Sequence, residues 1–231
     1  MVQLELQKRK TNKTYKSRHS GVGIFASKIK CGECGSWYGS KVWHSNSKYR
    51  RTIYQCNGKF KGADKCKTPH FDEESIKQVF VTAVNRLISD KTSIISAFEL
   101  IKDEVFDTAT LETERTALHV KLTVITETMQ KIVQENARIT QDQTEYQRHY
   151  AELAERYEAA KTHHNEVSNL ITDKQTRKTA MQAFMLELEI CEDVITDFDE
   201  RLWYGLVDYI NVESENEIYV IFKDGTKIKA E

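Results

Sequence analysis

The sequence predicts an α+β fold, and three observations carry that expectation. Four cysteines fall as Cys31-x2-Cys34 and then Cys56 and Cys66, around a stretch of strand-forming residues. Leu111, Leu118, Ile125, Ile132 and Ile139 recur every seven residues through the middle of the chain. The last residues alternate apolar and polar side chains about turn signals, as paired strands do. One proline and nine glycines among 231 residues suit a largely helical protein whose glycines cluster in the first third.

The cysteines define the first element. Four thiolates from two loops surround one zinc ion tetrahedrally, and such a site replaces the apolar core that a small segment cannot build. Between the pairs, Trp37, Tyr38, Val42 and Trp43 precede the polar turn His44-Ser45-Asn46-Ser47, and Tyr49, Thr52, Ile53 and Tyr54 follow it. That is a strand pair between two knuckles, a zinc ribbon with one structural Zn2+ held by Cys31, Cys34, Cys56 and Cys66. Nine residues separate Cys56 from Cys66, which predicts a loop rather than a tight second knuckle and leaves His44 and His70 as substitute ligands. A disulfide framework would suit a secreted chain, but the polar, basic N-terminus does not resemble a signal peptide. A catalytic zinc needs an open coordination position and a general base, and only Glu33 stands nearby. Cys191 falls on an apolar helical stripe and reads as a core residue.

Charge divides the chain in two. Residues 1–70 hold 16 Lys+Arg and 3 Asp+Glu, a net of +13, and the remainder holds 18 basic and 32 acidic residues, a net of −14. Four thiolates on zinc lower the basic half by only two units. Positive charge so concentrated predicts a polyanionic partner, most often nucleic acid. No apolar run is long enough to cross a bilayer, so no membrane partner is expected and the cytoplasm is the expected location.

Taken in order, residues 1–20 form a basic arm, with Lys8, Arg9, Lys10, Lys13, Lys16 and Arg18 able to follow a phosphate backbone or serve as a tether. The zinc-ribbon domain with its packing helices spans 21–110, with Ile24, Phe25 and Ile29 under the zinc site. Asp72 caps a helix whose apolar face is Ile76, Val79, Phe80, Ala83, Val84 and Leu87. A second helix carries Ile94, Ile95, Phe98, Ile101 and Val105. A long antiparallel coiled-coil hairpin spans 111–172. Its first seam adds Leu122 and Met129 to the seven-residue series, with Arg115 and Asn136 as polar members. Thr140-Gln141-Asp142-Gln143 reads as a capping box at the tip. The returning seam is Tyr146, Tyr150, Leu153, Tyr157, Ala160, His164, Val167 and Ile171. A bend at Thr172-Asp173-Lys174 introduces a third helix through Met181, Phe184, Leu188, Cys191, Ile195, Phe198 and Leu202. Residues 173–231 complete the ribbon domain with a short C-terminal β-sheet: Tyr209–Val212, Ile218–Phe222, and a turn at Asp224-Gly225 before the last strand.

These residues together resemble a family. The series Phe25-x3-Ile29-x-Cys31-x2-Cys34-Gly35, Tyr54-x-Cys56, Cys66, an amphipathic helix, a capped coiled-coil hairpin and Ile218-Tyr219-Val220-Ile221-Phe222-Lys223-Asp224-Gly225 is similar to the C-terminal region of large serine recombinases. These are the site-specific integrases of temperate phages and mobile elements. Ala26-Ser27 stands where the family often has Ser-Gly. The resolvase-like domain that supplies the family's nucleophilic serine has no counterpart in these residues, so no catalytic residue is carried over and no enzyme activity is expected of this chain alone.

The resemblance implies that the ribbon binds double-stranded DNA at an attachment half-site. It also implies that the coiled coil pairs with other recombinase subunits and governs synapsis and direction, with a directionality factor as a further partner. The ribbon residues expected to face DNA are Lys41, His44, Lys48, Arg50, Arg51, Lys59, Lys61 and Lys65. Arg50 and Arg51 are suited to base edges because a guanidinium binds guanine with two hydrogen bonds, and the lysines are suited to phosphates. Trp37, Trp43 and Tyr54 are expected in the ribbon core, with base stacking as the alternative. Ile139, Tyr146 and Tyr150 near the tip are expected to meet another subunit. The rival class is a zinc-ribbon coiled-coil scaffold for protein partners that does not read DNA.

Overall fold

The computed structural model describes residues 23–61, 66–140 and 142–230. They form an α+β protein divided into two compact units, one of residues up to 100 and from 180, the other of residues 101–179.

The first unit holds two small sheets. Strands β2 (Tyr38–Trp43) and β3 (Arg51–Cys56) pair antiparallel, and β4 (Phe71–Asp72) adds to β3, as the strand-rich composition between the cysteines predicts. The second sheet has the order β1-β5-β6-β7, from β1 (Ile29–Cys31), β5 (Val207–Ser214), β6 (Glu217–Phe222) and β7 (Lys227–Ala230). Here β1 runs parallel to β5, with Ile29 opposite Ile210 and Cys31 opposite Val212, so the C-terminal strands are built onto the strand that enters the zinc site. Gly225, at φ 94°, makes the turn into β7, where only glycine is relaxed.

Helix α1 (Glu73–Ser89) begins where expected: Asp72 Oδ1 accepts from the Ser75 N–H at 2.8 Å. Its buried face includes Ile76, Phe80, Ala83, Val84 and Leu87. The core beneath it is aromatic. Phe25 stands edge-on to Tyr54, Phe198 and Trp203, and Phe80 meets Phe198 and Trp203 at centroid distances of 5.1 and 5.6 Å. Trp203 is fully buried, and its Nε1 donates to the Ile24 carbonyl at 3.2 Å. Helix α2 (Lys91–Val105) buries only Phe98.

Helices α3 (Ala109–Asn136) and α4 (Gln143–Glu189) carry the heptad seams. In the second unit the contacts between them run in opposite directions along the chain. Asn136 meets Gln143 at 2.9 Å, the His119 and His164 rings lie 6.2 Å apart, and Glu114 meets His163 at 3.1 Å. The hairpin is therefore antiparallel. Ile125, Leu153, Ala160, Val167 and Ile171 are buried in its seam, and Leu111, Leu118, Leu122, Met129, Ile132, Tyr146 and Tyr157 are half-buried. At the tip the cap is Asp142, whose Oδ1 accepts from the Thr144 and Glu145 N–H groups at 2.8 and 3.4 Å, where the capping-box reading starts from Thr140.

Two further expectations are corrected. Residues 172–174 do not bend: they lie inside α4, because no glycine or proline falls between 143 and 189 and the polar residues bond along the helix. Thr172 Oγ1 donates to the Ser168 carbonyl at 2.9 Å, and Arg177 meets Asp173 at 2.9 Å. The helix then stops at Glu189, so Ile195 and Phe198 are not helical. Val194-Ile195-Thr196 is a β-branched run that loses rotamer freedom in a helix, and Asn85 binds the backbone of Ile195. The chain re-enters a helix only at α5 (Glu200–Leu206), capped by Asp199.

Candidate metal centre and nucleic-acid interface

The four cysteine sulfurs converge, each within 4.8 Å of the others. Cys31 Sγ lies 3.2 Å from Cys66 Sγ, and Cys34 Sγ lies 3.3 Å from Cys56 Sγ, with all four thiols free. Four sulfurs at about 2.3 Å from a zinc ion sit about 3.8 Å from one another, so the donor set fits one tetrahedral Zn2+. Cys31, Cys56 and Cys66 are buried and Cys34 is exposed. Neither histidine substitutes for a sulfur: His44 occupies the β2–β3 turn at φ 55°, and His70 packs at a tilt on Trp43.

Backbone geometry shapes both knuckles. After Cys34, Gly35 takes φ 70° and donates its N–H to the Cys31 carbonyl at 2.9 Å. After Cys56 the chain also turns tightly, contrary to the open loop expected from the spacing. The Gly58 N–H points at Cys56 Sγ at 3.3 Å, and the Lys59 N–H reaches the Cys56 carbonyl at 3.2 Å. A β-carbon on Gly58 would lie 2.8 Å from Ser36 Oγ and 2.9 Å from Cys34 Sγ, so the knuckle excludes any side chain there. Residues 62–65 of the expected loop lie outside the described residues.

Burial pushes the Cys66 thiol up to about 11 against the hydrogen bonds of Thr68. At Cys34 burial also acts upward, but the side-chain and backbone hydrogen bonds of Ser36 prevail and bring the thiol down to about 7. The downward shift favours Cys34 in the thiolate form, the form in which cysteine ligates zinc. Thr68, buried and not anticipated from the sequence, places its Oγ1 3.3 and 3.1 Å from the sulfurs of Cys31 and Cys66. Glu33 does not serve an open metal position. Its Oε2 accepts from the Lys67 N–H at 2.6 Å, a bond that ties the first knuckle to the second and holds the carboxyl below its usual range.

Away from the sulfurs, β2 and β3 run out to an exposed tip. Residues 41–51 hold Lys41, Lys48, Arg50 and Arg51 and no acidic residue. Trp43 is opposite Arg51, whose guanidinium carbon lies 5.5 Å from the indole centre, and His70 packs on the same indole at 4.5 Å. Trp43 is therefore a half-exposed platform rather than a core residue. Trp37 is half-buried too, bridged to Lys30 and edge-on to Tyr209 at 6.1 Å, and only Tyr54 of the three aromatics is in the core. Lys48 lies over the ring of Tyr49, and His44 and Arg50 are exposed.

The remaining basic residues divide. Lys41 Nζ donates to Asn57 Oδ1 at 3.3 Å, and Lys61 is exposed. Lys59 turns its Nζ to the Thr68 carbonyl at 2.7 Å and braces the knuckles. Lys65 and the basic arm, residues 1–20, lie outside the described residues.

Residues 24–85 match the recombinase zinc beta ribbon domain. The ribbon is similar to that domain. Its matched span covers Cys31, Cys34, Cys56 and Cys66, the β2–β3 tip and most of α1. A crystal structure described as an LSR–DNA complex is also similar, at 12% identity and a TM-score of 0.31, covering 96% of this chain. This chain spans 62% of that one. No curated protein matches the sequence.

Proposed function

We propose that this chain is a DNA-binding and subunit-interaction region of a site-specific large serine recombinase. The observation that carries the reading is the recombinase ribbon with an acid-free tip, on which Trp43 presents Arg51 and Arg50 stands exposed beside it. A guanidinium packed on an indole keeps its fork of donors available for base edges. Lys41, Lys48 and Lys61 are assigned to phosphates. The expected location is the cytoplasm of a bacterial host, where an attachment half-site would be met; no described helix is long and apolar enough to cross a membrane.

The hairpin is assigned to pairing with other subunits. Ile139 is 66% exposed at the tip, and the rings of Tyr146 and Tyr150 lie 6.2 Å apart. A directionality factor is the expected additional partner. The chain contributes binding and no strand cleavage.

A mobility shift tests the DNA reading. Zinc-loaded protein is expected to retard duplex DNA, and Cys56→Ser or chelation to abolish the shift. Zinc-loaded protein that leaves DNA unshifted would favour the protein scaffold instead.

A further inference from the structure

The four-stranded sheet has two unlike faces. Ile210, Val212, Ile218, Val220 and Phe222 turn inward and are buried, while the alternate positions Tyr209, Asn211, Tyr219 and Ile221 stay half-exposed. This alternation marks a sheet with one side towards solvent. Register lines the outer positions into rows. Lys30 is opposite Asn211, Asn211 opposite Tyr219, and Tyr219 opposite Lys229. In the next row Tyr209 is opposite Ile221, and Ile221 opposite Lys227. Tyrosines therefore stand on the two central strands and lysines on the two edge strands.

Two of these lysines lean inward over the rings. Lys227 Nζ lies 3.8 Å from the Tyr219 ring centre, and Lys30 Nζ lies 5.8 Å from that of Tyr209. Trp37, bridged to Lys30 and packed on Tyr209, continues this face into the zinc ribbon.

We propose that this sheet face is a second nucleic-acid contact, one that takes the phosphodiester backbone of the DNA duplex beside the segment held by the ribbon tip. The inference rests on the DNA-binding reading above. A ring beneath an ammonium attracts it and restrains an otherwise mobile side chain, so less order is lost when a phosphate arrives. The cations in these rows are lysines, point charges suited to phosphate rather than to the paired donors of a base edge. Glu213, Glu215 and Glu217 border the face at the β5–β6 turn. Glu213 accepts from Lys227 at 3.3 Å and from Asn211 at 3.2 Å, and Glu217 bonds Ser214 at 3.4 Å. A phosphate at Lys227 replaces one anionic partner with another, while Lys30 and Lys229 extend the positive edges.

The test is fluorescence anisotropy of the full chain on a long duplex across a salt series. It compares the unaltered chain, Lys30→Ala/Lys227→Ala/Lys229→Ala, and Arg50→Ala/Arg51→Ala. The triple variant is expected to bind about tenfold more weakly at moderate salt, with a log–log salt slope smaller by about 2 to 3, since each phosphate contact contributes about 0.9. Its zinc content and melting temperature should match the unaltered chain, and lysine-to-arginine replacement at the three positions should restore the slope. A duplex trimmed to the ribbon's own segment should bind the triple variant and the unaltered chain alike. A triple variant with full affinity and slope, beside an arginine variant that loses binding, overturns the sheet inference and leaves the ribbon reading intact. A weakened triple variant that arginines fail to restore also overturns it. No binding by the unaltered chain removes the ribbon reading and this one together.

Discussion

The side-chain amide of Asn85 satisfies both backbone polar groups of Ile195, donating to its carbonyl at 2.9 Å and accepting from its N–H at 2.8 Å. A single side chain thereby imitates a strand partner for a segment that has left helix α4 and belongs to no sheet. It fixes the chain where Phe198 turns into the aromatic core against Phe25, Phe80 and Trp203. Asn85→Ala leaves two backbone groups without their partner and should cost about 1–3 kcal/mol, read by chemical denaturation. Asn85→Asp keeps only the acceptor and should lie between the two.

Gly58 tests the second knuckle. A methyl there meets Cys34 Sγ and Ser36 Oγ inside contact distance, so Gly58→Ala should weaken zinc binding in a competition assay with a chromophoric chelator. Gly23→Ala, whose added carbon meets only the Tyr54 hydroxyl at 3.4 Å, should leave zinc affinity unchanged.

Asp72 supplies a pH-dependent contribution. Hydrogen bonds from the Ser75 side chain and then its backbone, with Arg51 and His70 nearby, hold its carboxyl below the ordinary value. Its folded-state pKa is depressed, so its stabilisation is present above the unfolded value of about 3.9 and fades as pH falls through the folded one. Asp72→Ala should cost about 1 kcal/mol at neutral pH, Asp72→Ser less, and the difference should vanish in acid.

The hairpin has its own core. Leu153→Ala or Ile125→Ala should destabilise it by about 2–5 kcal/mol, seen in the helical melting signal. Replacing residues 112–170 by a short Gly/Ser linker should leave DNA affinity within about threefold, roughly 0.7 kcal/mol, if the hairpin takes no part in the contact. Loss of zinc and DNA binding together would mean that the hairpin braces the ribbon.

Much of this arrangement was legible in the sequence because its causes are local or periodic. Cysteine spacing placed Cys31, Cys34, Cys56 and Cys66 around one centre, and the heptads placed Leu153, Ala160, Val167 and Ile171 in a seam. Thr-Asp at 172–173 misled as a bend signal, since in a long helix with no glycine or proline such residues simply bond to the preceding turn. Hydrophobicity places Trp43 in the core but says nothing about which end of a hairpin is covered. The Arg51–Trp43–His70 cluster depends on β4 returning beside β3, a long-range event. Thr68 beneath the sulfurs and Asn85 at Ile195 are likewise tertiary matches with no pattern to announce them.

Sequence-selective DNA binding by the ribbon tip is most directly measured by selection of duplexes from a random pool. The unaltered, zinc-loaded chain should enrich a defined sequence containing guanines, and Arg50→Ala/Arg51→Ala should bind more weakly and lose that enrichment. An unaltered chain that enriches no sequence, or a double variant that enriches the same one, would contradict the assignment of Arg50 and Arg51 to base edges.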